Sequence, residues 1–310
     1  MCSDVRREQI QKFVLDELGA GWQHVEIPSD ASARRYSRLR KGNRTAILMD
    51  ADPNICGSSQ QFVKVSNHLR DIGLSAPDIF AADLTQGLLL LEDLGQTSFA
   101  DWIKRRPDDE RKLISEASQV ISVAQSHEPK LDLTTLTPDA AADLTLPFWT
   151  HYAPDLIQEG SGILAAALTK THTIEPVFCF RDFHVENLIW RSDEANLAKI
   201  GVLDFQDALL AHPIYDYVSI LRDARRDISE QTVTHIKAQL SQPNIDIDAS
   251  FSVYSVQRNL RILGVFYDLI HNQKKPKYRD FVGRVSNHIR QDIMHPDLAE
   301  LAKIVGPVLS

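Results

Sequence analysis

The stretch VFCFRDFHVENLIWRSDEANLAKIGVLDFQDA, residues 177–208, decides the fold of this chain. It contains two apolar segments, Leu188–Trp190 and Leu197–Leu203, on either side of the turn-forming segment Arg191–Asn196. Apolar runs joined by turn residues are typical of a β-hairpin. Such a hairpin would bring the loop before its first strand next to the residue after its second strand. We therefore expect polar side chains from both ends to meet.

Three polar side chains occupy those ends: Asp182 and Asn187 precede the hairpin, and Asp204 follows it. Carboxylate and amide oxygens suit Mg²⁺ that carries substrate phosphates. In phosphoryl transfer one aspartate accepts the proton of the attacking hydroxyl, while other oxygen ligands hold the metal. We therefore expect Asp182 to be the catalytic base, Asn187 and Asp204 to be metal ligands, and ATP and Mg²⁺ to be the cofactors.

These residues also have an ordinary structural interpretation. A loop aspartate such as Asp182 often caps a turn or a helix, and Asp204 would fit a strand-end turn. A D-x-x-x-x-N match alone is expected by chance about once in a chain of this length. The combination of all three residues with the hairpin is what favours a kinase-type site.

Length and composition limit the alternatives. A chain of 310 residues is long enough for two domains, or for one domain with two lobes. The net charge is -8 and no block rich in Lys and Arg occurs, so nothing indicates binding to nucleic acid or to an anionic membrane. Three scattered cysteines, Cys2, Cys56 and Cys179, suggest neither a zinc site nor a disulfide framework. Without a signal peptide or a membrane-length apolar run, we expect a cytoplasmic protein with a small-molecule partner.

The character of the sequence changes near residue 95. Before it, two helical segments accompany short strand-like segments separated by KGN, DPN and TQG turns, which predicts a small antiparallel sheet. After it, apolar residues recur at helical spacing, with predicted helices at 110–126, 161–171, 214–226, 229–240, 250–271, 278–293 and 297–305. We expect an α+β protein with a β-rich nucleotide-binding domain at 1–95 and a mainly helical catalytic and acceptor-binding domain at 96–310. A cleft between two such lobes is a natural ligand site.

The motifs around the hairpin resemble those of the aminoglycoside phosphotransferase and choline kinase superfamily. Its catalytic loop reads H-G-D-x-H-x-x-N, and this chain has FRDFHVEN at 180–187. Its metal-binding strand end reads I-D-F/W, matched by LDF at 203–205, and its D-P-x-x-D-L-A element is similar to AHPIYDYV at 211–218. The resemblance implies a protein-kinase-like two-lobed fold and ATP-dependent phosphorylation of a small hydroxylated molecule.

A narrower resemblance is to the bacterial anomeric sugar kinases. The phrases that carry it are ASARRYSRL at 31–39, AILMDADP at 46–53, RDFHVENLIW at 181–190 and GVLDFQDALLAHPIYDYVSILRDAR at 201–225. Those enzymes phosphorylate the C1 hydroxyl of N-acetylmuramate and N-acetylglucosamine in cell-wall recycling. The resemblance implies that the acceptor is an amino sugar.

The chain departs from the superfamily pattern at two positions. Phe180 replaces the first histidine of the loop, which does not affect Asp182. Met49 stands where a strand lysine normally binds the α- and β-phosphates, although the sugar kinase subgroup shares this pattern. Arg34 or Arg35 would supply the missing cation. Because adjacent strand residues face opposite sides of a sheet, at most one of them can reach the phosphates.

The resemblance assigns further residues to the nucleotide and to structural support. The connection between the lobes carries Glu92 and Leu94, whose backbone groups are expected to bind adenine; a plain strand end is the alternative. His184, between two apolar residues, is expected to be a structural support more than a catalytic base. Asp216 lies in an apolar helical segment, so it needs partners and is expected to brace the catalytic loop.

Acceptor binding is assigned to residues after the hairpin. Gln206 and Asp207 are expected to face the acceptor, and Asp223 is a candidate ligand for sugar hydroxyls, with a charged helix surface as the alternative. A further hypothesis is that nearby arginines receive an anionic substrate group such as a lactyl carboxylate, although clustered helix arginines are usually solvated. These arginines are Arg222, Arg225 and Arg226.

Several other functions remain as alternatives. A kinase for aminoglycosides or other small alcohols would use the same base and metal ligands. The missing strand lysine at Met49 leaves open a non-catalytic nucleotide-binding sensor. A metallophosphoesterase using Asp182, His184 and Asp204 is disfavoured because dinuclear hydrolases need more ligands. Protein kinase activity is disfavoured because no long activation segment separates Asp204 from the next helix.

Overall fold

The computed structural model describes residues 2–28, 33–171, 173–240 and 246–309. The chain divides into two compact units. Unit 1 comprises Met1–Ser98 and Leu188–Asp207, and unit 2 comprises Phe99–Asn187 and Ala208–Ser310. The sequence prediction left residues 188–207 in the helical domain. They group with unit 1 because backbone bridges join Ser75 to Gly201 and Ser98 to Ile189.

Unit 1 contains most of the strands. They are β1 (Gln23–Ile27), β2 (Arg35–Lys41), β3 (Arg44–Asp50), β4 (Ile79–Asp83), β5 (Leu88–Leu91), β7 (Leu188–Trp190) and β8 (Ile200–Val202). Its helices are α1 (Cys2–Leu18), α2 (Pro53–Cys56) and α3 (Gln60–Asp71). The first five strands form one antiparallel sheet in the order β1-β2-β3-β5-β4, and β7 and β8 form the predicted hairpin.

The sheet of unit 1 has two different faces because side chains alternate along each strand. Leu39, Leu48 and Leu90 form a buried cluster with residues of α1, among them Phe13. The alternating pattern places Tyr36 and Met49, which are cross-strand partners, on the opposite face. The sheet therefore has one face covered by α1 and a second face that carries Tyr36 and Met49.

Unit 2 is mainly helical. Its helices are α4 (Phe99–Arg105), α5 (Glu110–Gln125), α6 (Pro138–Asp143), α7 (Leu146–Tyr152), α8 (Ile157–Thr171), α9 (Tyr215–Leu221), α10 (Glu230–Leu240), α11 (Ile247–His271), α12 (Arg279–Asp292) and α13 (Ala299–Val308). Strands β6 (Val177–Cys179) and β9 (Leu209–Ala211) pair antiparallel. The 25-residue helix α11 is buried along most of its length. A Cβ added at Gly264 would lie 2.4 Å from the backbone nitrogen of Phe148, so only glycine allows α7 to approach this closely.

The predicted α+β class is confirmed by the antiparallel sheet followed by helices. Helix α9 ends at Leu221, five residues before its predicted end, because Arg222 leaves the helical conformation. The first two residues of the stretch ASARRYSRL at 31–39 lie outside the described residues, and β2 begins at Arg35 within it. Within the described ranges, no helix has the length and apolar character required to cross a membrane.

Candidate active site

The loop that carries Asp182 is held in a strained backbone conformation. It follows β6, and Arg181 has a φ of 76°, a left-handed conformation that costs a non-glycine residue on the order of 1 kcal/mol. The buried carboxylate of Asp216 accepts hydrogen bonds from the backbone nitrogens of Phe180 (2.7 Å) and Arg181 (3.1 Å). Nη1 of Arg258 on α11 donates to the carbonyl oxygen of Arg181 (2.8 Å). These three bonds fix the loop from two helices.

Asp182 is placed as an ionised and accessible carboxylate. About a third of its side chain, 36%, is exposed, while Nη2 of the buried Arg258 lies 3.3 Å from its Oδ1. Burial alone would raise the pKa of Asp182, but the charges of Arg258 and Arg261 outweigh burial and hold the pKa below its ordinary value. The carboxylate is therefore available to accept a proton at neutral pH.

His184 and Asn187 lie in one hydrogen-bond network behind Asp182. The amide nitrogen of Asn187 donates to the carbonyl oxygen of Asp182 (2.9 Å) and lies 3.2 Å from Nε2 of His184. Nη1 of Arg225 lies 3.2 Å from the same Nε2. Because both neighbours are donors, we assign Nε2 as an acceptor and the proton to Nδ1. Burial lowers the pKa of His184. These contacts support the predicted structural role of His184.

Asp216 is fully buried at the start of α9. Burial raises its pKa to about 7, and the two backbone donors from the catalytic loop only partly oppose this shift. The contacts therefore support the predicted role of Asp216 as the brace of the loop.

Asp204 belongs to unit 1 and directly follows the hairpin. It adopts a left-handed conformation with a φ of 57°, which is uncommon for a residue with a side chain. Phe205 is buried and its ring packs 4.9 Å from that of Phe62 on α3. Nε2 of Gln206 donates to Oδ1 of Asp204 (2.8 Å) and to Oδ2 of Asp207 (3.1 Å). Packing of the next residue and the amide of Gln206 thus orient the exposed Asp204 carboxylate.

Gln206 has a second role beside the predicted one. Its side chain is buried and its amide nitrogen joins two carboxylates, so its contacts support a positioning role for Asp204, while its predicted contact with the acceptor stays a prediction. Asp207 is exposed, so its predicted contact with the acceptor stays a prediction.

The segment after β5 is anchored by charged side chains. The guanidinium of Arg38 donates to both carboxylate oxygens of Asp93 (2.7 and 2.9 Å) and to the carbonyl oxygen of Gly95. The backbone nitrogen of Glu92 donates to the carbonyl oxygen of Asp78 (2.8 Å). This nitrogen is therefore not available to adenine, in contrast to the predicted role of Glu92. Leu94 is buried, and no hydrogen bond within the described residues reaches its backbone nitrogen.

Arg34 and Arg35 are directed differently, as their adjacency predicts. Nη2 of Arg35 forms an ion pair with Oδ2 of Asp50 (2.8 Å), and Arg6 of α1 binds the other oxygen of the same carboxylate. Arg35 thus belongs to the face that α1 covers. Burial raises the pKa of Tyr36 to about 12; the charge of Arg34 opposes this rise, and the charge of Asp204 adds to it. Both charges therefore act on Tyr36, which lies on the face of the sheet that α1 does not cover. Arg34 is therefore the cation on the side of Met49 and Asp204.

The arginines proposed to receive an anionic group are bound to the protein itself. Arg222 is buried and donates to both oxygens of Asp292 (2.8 and 3.0 Å). Arg225 forms an ion pair with Glu186 (2.9 Å), and Arg226 donates to the carbonyl oxygen of Ala100 (3.2 Å). These intramolecular bonds disfavour the hypothesis that the three arginines receive an anionic substrate group, which stays a prediction.

Asp223 does not lie on a charged helix surface, which was the alternative interpretation of this residue. It lies after the end of α9, is only 2% exposed, and its Oδ1 accepts a hydrogen bond from the backbone nitrogen of Arg225 (2.8 Å). Its charge acts on His184 and Glu186. Its burial favours a part in the network around His184 over direct contact with a sugar.

The described residues fit magnesium in the chemistry of their donors. Asn187 offers an amide oxygen, since its nitrogen is engaged with Asp182, and Asp204 offers a carboxylate. Mg²⁺ is usually held by one or two protein carboxylates together with substrate phosphates and water. In the described part of the chain, no group of three or more His, Cys, Asp or Glu side chains forms a self-sufficient metal cage.

Comparisons with known proteins agree with this geometry. The model of the phosphotransferase enzyme family matches residues 24–248. The chain is 31% identical to an N-acetylmuramate/N-acetylglucosamine kinase of Caulobacter vibrioides, over 95% of this chain and 94% of the relative. It is also 31% identical to a kinase of that name from Pseudomonas aeruginosa, over 99% and 98% of the two chains.

Solved structures share the fold at low sequence identity. A choline/ethanolamine kinase family protein from Mesorhizobium loti superimposes with a TM-score of 0.65 at 14% identity, over 98% of both chains. A thermostable aminoglycoside phosphotransferase in ternary complex with ADP and hygromycin B gives a TM-score of 0.64 at 14% identity, over 91% of this chain and 98% of the other. With the braced aspartate loop, the oriented strand-end aspartate and the family match in agreement, the chain belongs to the phosphotransferase enzyme family and is a kinase.

Proposed function

We propose that this kinase transfers the γ-phosphate of ATP to the anomeric hydroxyl of an amino sugar, N-acetylmuramate or N-acetylglucosamine. The observation that carries the proposal is the state of Asp182, an ionised, partly exposed carboxylate that two arginines of one helix stabilise. The choice of acceptor rests on the names of the relatives, which match nearly the full length of this chain.

In the proposed mechanism, Asp182 orients the C1 hydroxyl and accepts its proton as the oxygen attacks the γ-phosphorus, while the bond from that phosphorus to the bridging oxygen breaks and ADP leaves. Asn187 and Asp204 would hold Mg²⁺, which supplies charge neutralisation to the phosphates when bound. The backbone amide of Leu94 would donate to a ring nitrogen of adenine. This assignment is supported by the burial of Leu94 and by the lack of an acceptor for its backbone nitrogen among the described residues, since backbone N–H groups in the interior are nearly always paired.

A sugar panel with one blocked acceptor tests the proposal. Purified protein with Mg-ATP is expected to release ADP with either amino sugar, and not with the methyl glycoside of N-acetylglucosamine, whose C1 oxygen cannot be phosphorylated. EDTA is expected to abolish turnover. ADP release with the methyl glycoside would exclude the anomeric position, and turnover only with kanamycin or choline would place the chain among the other small-alcohol kinases. Binding of ATP without turnover across the panel would indicate the sensor.

Replacement of Arg34 and replacement of Arg35 should have different effects on the KM for ATP. We expect Arg34→Ala to raise the KM for ATP about 10-fold or more, because a charge-assisted hydrogen bond to phosphate is lost. Arg35→Ala is expected to leave this KM within about 2-fold, because Arg35 is bound to Asp50 on the other face. Steady-state kinetics at saturating sugar measure both values. Equal KM values for the two variants would remove Arg34 as the substitute for the lysine that Met49 replaces.

A further inference from the structure

Helix α11 carries a second arginine beside the catalytic aspartate. Arg258 and Arg261 are three residues apart, so their side chains share one face of the helix. Arg258 is buried and lies 3.3 Å from Asp182, and its two hydrogen-bonded acceptors in the loop are Arg181 and Asp182. Arg261 is partly buried one turn further along, and its charge acts on the same carboxylate. Unit 2 therefore has one guanidinium that holds the loop and another beside it.

Arg261 differs from the three arginines that follow α9. Arg222, Arg225 and Arg226 are each bonded to acceptors of the protein. No hydrogen bond or ion pair connects Arg261 to any residue in the ranges that the structure describes. A guanidinium has five N–H donors, and no protein acceptor in these ranges uses those of the partly buried Arg261. The arrangement is suited to an acceptor group that arrives with a ligand.

The charge balance at the loop indicates which kind of ligand this is. A sugar that carries a carboxylate places a second negative charge close to ionised Asp182, and like charges at short distance repel. A cation beside the base offsets that repulsion, and the planar guanidinium matches a carboxylate with two parallel hydrogen bonds. An uncharged sugar makes no such demand.

Building on the proposed sugar kinase function, we propose that Arg261 is a specificity-determining residue that binds the carboxylate of an acidic amino sugar next to Asp182. In N-acetylmuramate that group is the lactyl ether carboxylate, which N-acetylglucosamine lacks. Arg261 thus distinguishes the two acceptors, while Asp182 serves both.

The test compares both sugars in one variant, at about pH 8, where Asp182 is ionised with or without Arg261. Arg261→Gln is expected to lower kcat/KM for N-acetylmuramate about 10- to 100-fold and to keep kcat/KM for N-acetylglucosamine within about 2-fold of the wild type. Arg261→Lys, which keeps the charge without the planar fork, should recover part of the loss. Calorimetric titration of N-acetylmuramate without ATP should show the same loss of affinity. The control is Arg111→Gln, which removes one positive charge from the exposed surface of α5.

The outcomes separate this inference from the proposed function. Equal losses with both sugars would overturn it, because Arg261 would then act on the transferred phosphate or on Asp182 alone. Unchanged kinetics with both sugars would overturn it as well. If Arg261→Gln does not fold, the ratio of the two sugars in Arg261→Lys decides. A wild-type enzyme that phosphorylates neither sugar would refute the proposed function itself, and the assignment of Arg261 would fall with it.

Discussion

Replacing Asp182 with asparagine is expected to lower kcat with either amino sugar by about 10²- to 10⁴-fold, the usual contribution of a general base. Asparagine retains the size of the side chain and an oxygen opposite Arg258, so the loop should keep its shape. It cannot accept the proton of the acceptor hydroxyl. Initial rates of ADP release measure the loss, and circular dichroism and nucleotide binding confirm that the variant is folded. The matched control is Asp193→Asn in the exposed hairpin turn, which should have wild-type turnover.

The pKa of Asp182 also predicts how kcat depends on pH. Because nearby arginines hold the pKa of Asp182 below its ordinary value of 3.8, the base stays ionised as the pH falls from neutral to weakly acidic. On the acid side, kcat should therefore decline only below pH 3.8, provided that the protein remains folded. A decline centred near pH 6 to 7 would contradict this assignment and indicate a histidine, a group with an unperturbed pKa of about 6.5.

The second large effect is expected at Asp216. Alanine at this position would leave the backbone nitrogens of Phe180 and Arg181 buried without an acceptor, and each such loss costs about 1–3 kcal/mol. We expect the free energy of unfolding to fall by about 2–5 kcal/mol. The strained loop would also lose its brace, and a displacement of about 1 Å at Asp182 would lower kcat about 100-fold. Urea denaturation and kinetics at a temperature where the variant is folded measure the two effects.

A pH comparison isolates the role of this buried carboxyl group. The pKa of Asp216 is about 7 in the folded chain against an ordinary value of 3.8. Between these values the folded chain keeps a proton that the unfolded chain has released, so stability should fall as the pH rises from about 4 to about 7. Asp216→Asn cannot ionise and should lack this part of the decline.

Asp139→Ala, an exposed change on α6, serves as the control for the Asp216→Ala variant. Wild-type stability and turnover in Asp216→Ala would refute the brace.

The sequence predicted the parts of the site that are local in the chain. The hairpin and the α+β class follow from apolar runs and turn residues, and both are confirmed. The partner of Asp182 could not be predicted, because Arg258 is 76 residues away and meets it only through the packing of α11. The available signal was two arginines three residues apart in a helix that is buried along most of its length. Such charges need a partner, but the pattern does not say which one.

Other errors have a similar origin. Helix α6, which starts at Pro138 after the N-cap Thr137, is absent from the helices predicted from the sequence. The arginines after α9 appeared to lie on one helix surface. Their acceptors, Asp292 among them, come from distant segments that spacing cannot reveal. Arg38, which anchors the segment after β5, was missed because a charged residue on a strand usually faces water.

Unit 1 is built from two pieces of the chain, and this has a consequence for biosynthesis. The backbone nitrogens of Trp190 and Val202 donate to Thr97 and Ser75, so the hairpin supplies donors that the first piece cannot provide itself. When Ser98 leaves the ribosome, those carbonyl groups still face solvent, and helices α4 to α8 must be synthesised before their partners emerge. The first 98 residues therefore cannot complete unit 1 during synthesis until residues 188–207 have emerged. Closing this long loop comes last in the assembly of unit 1.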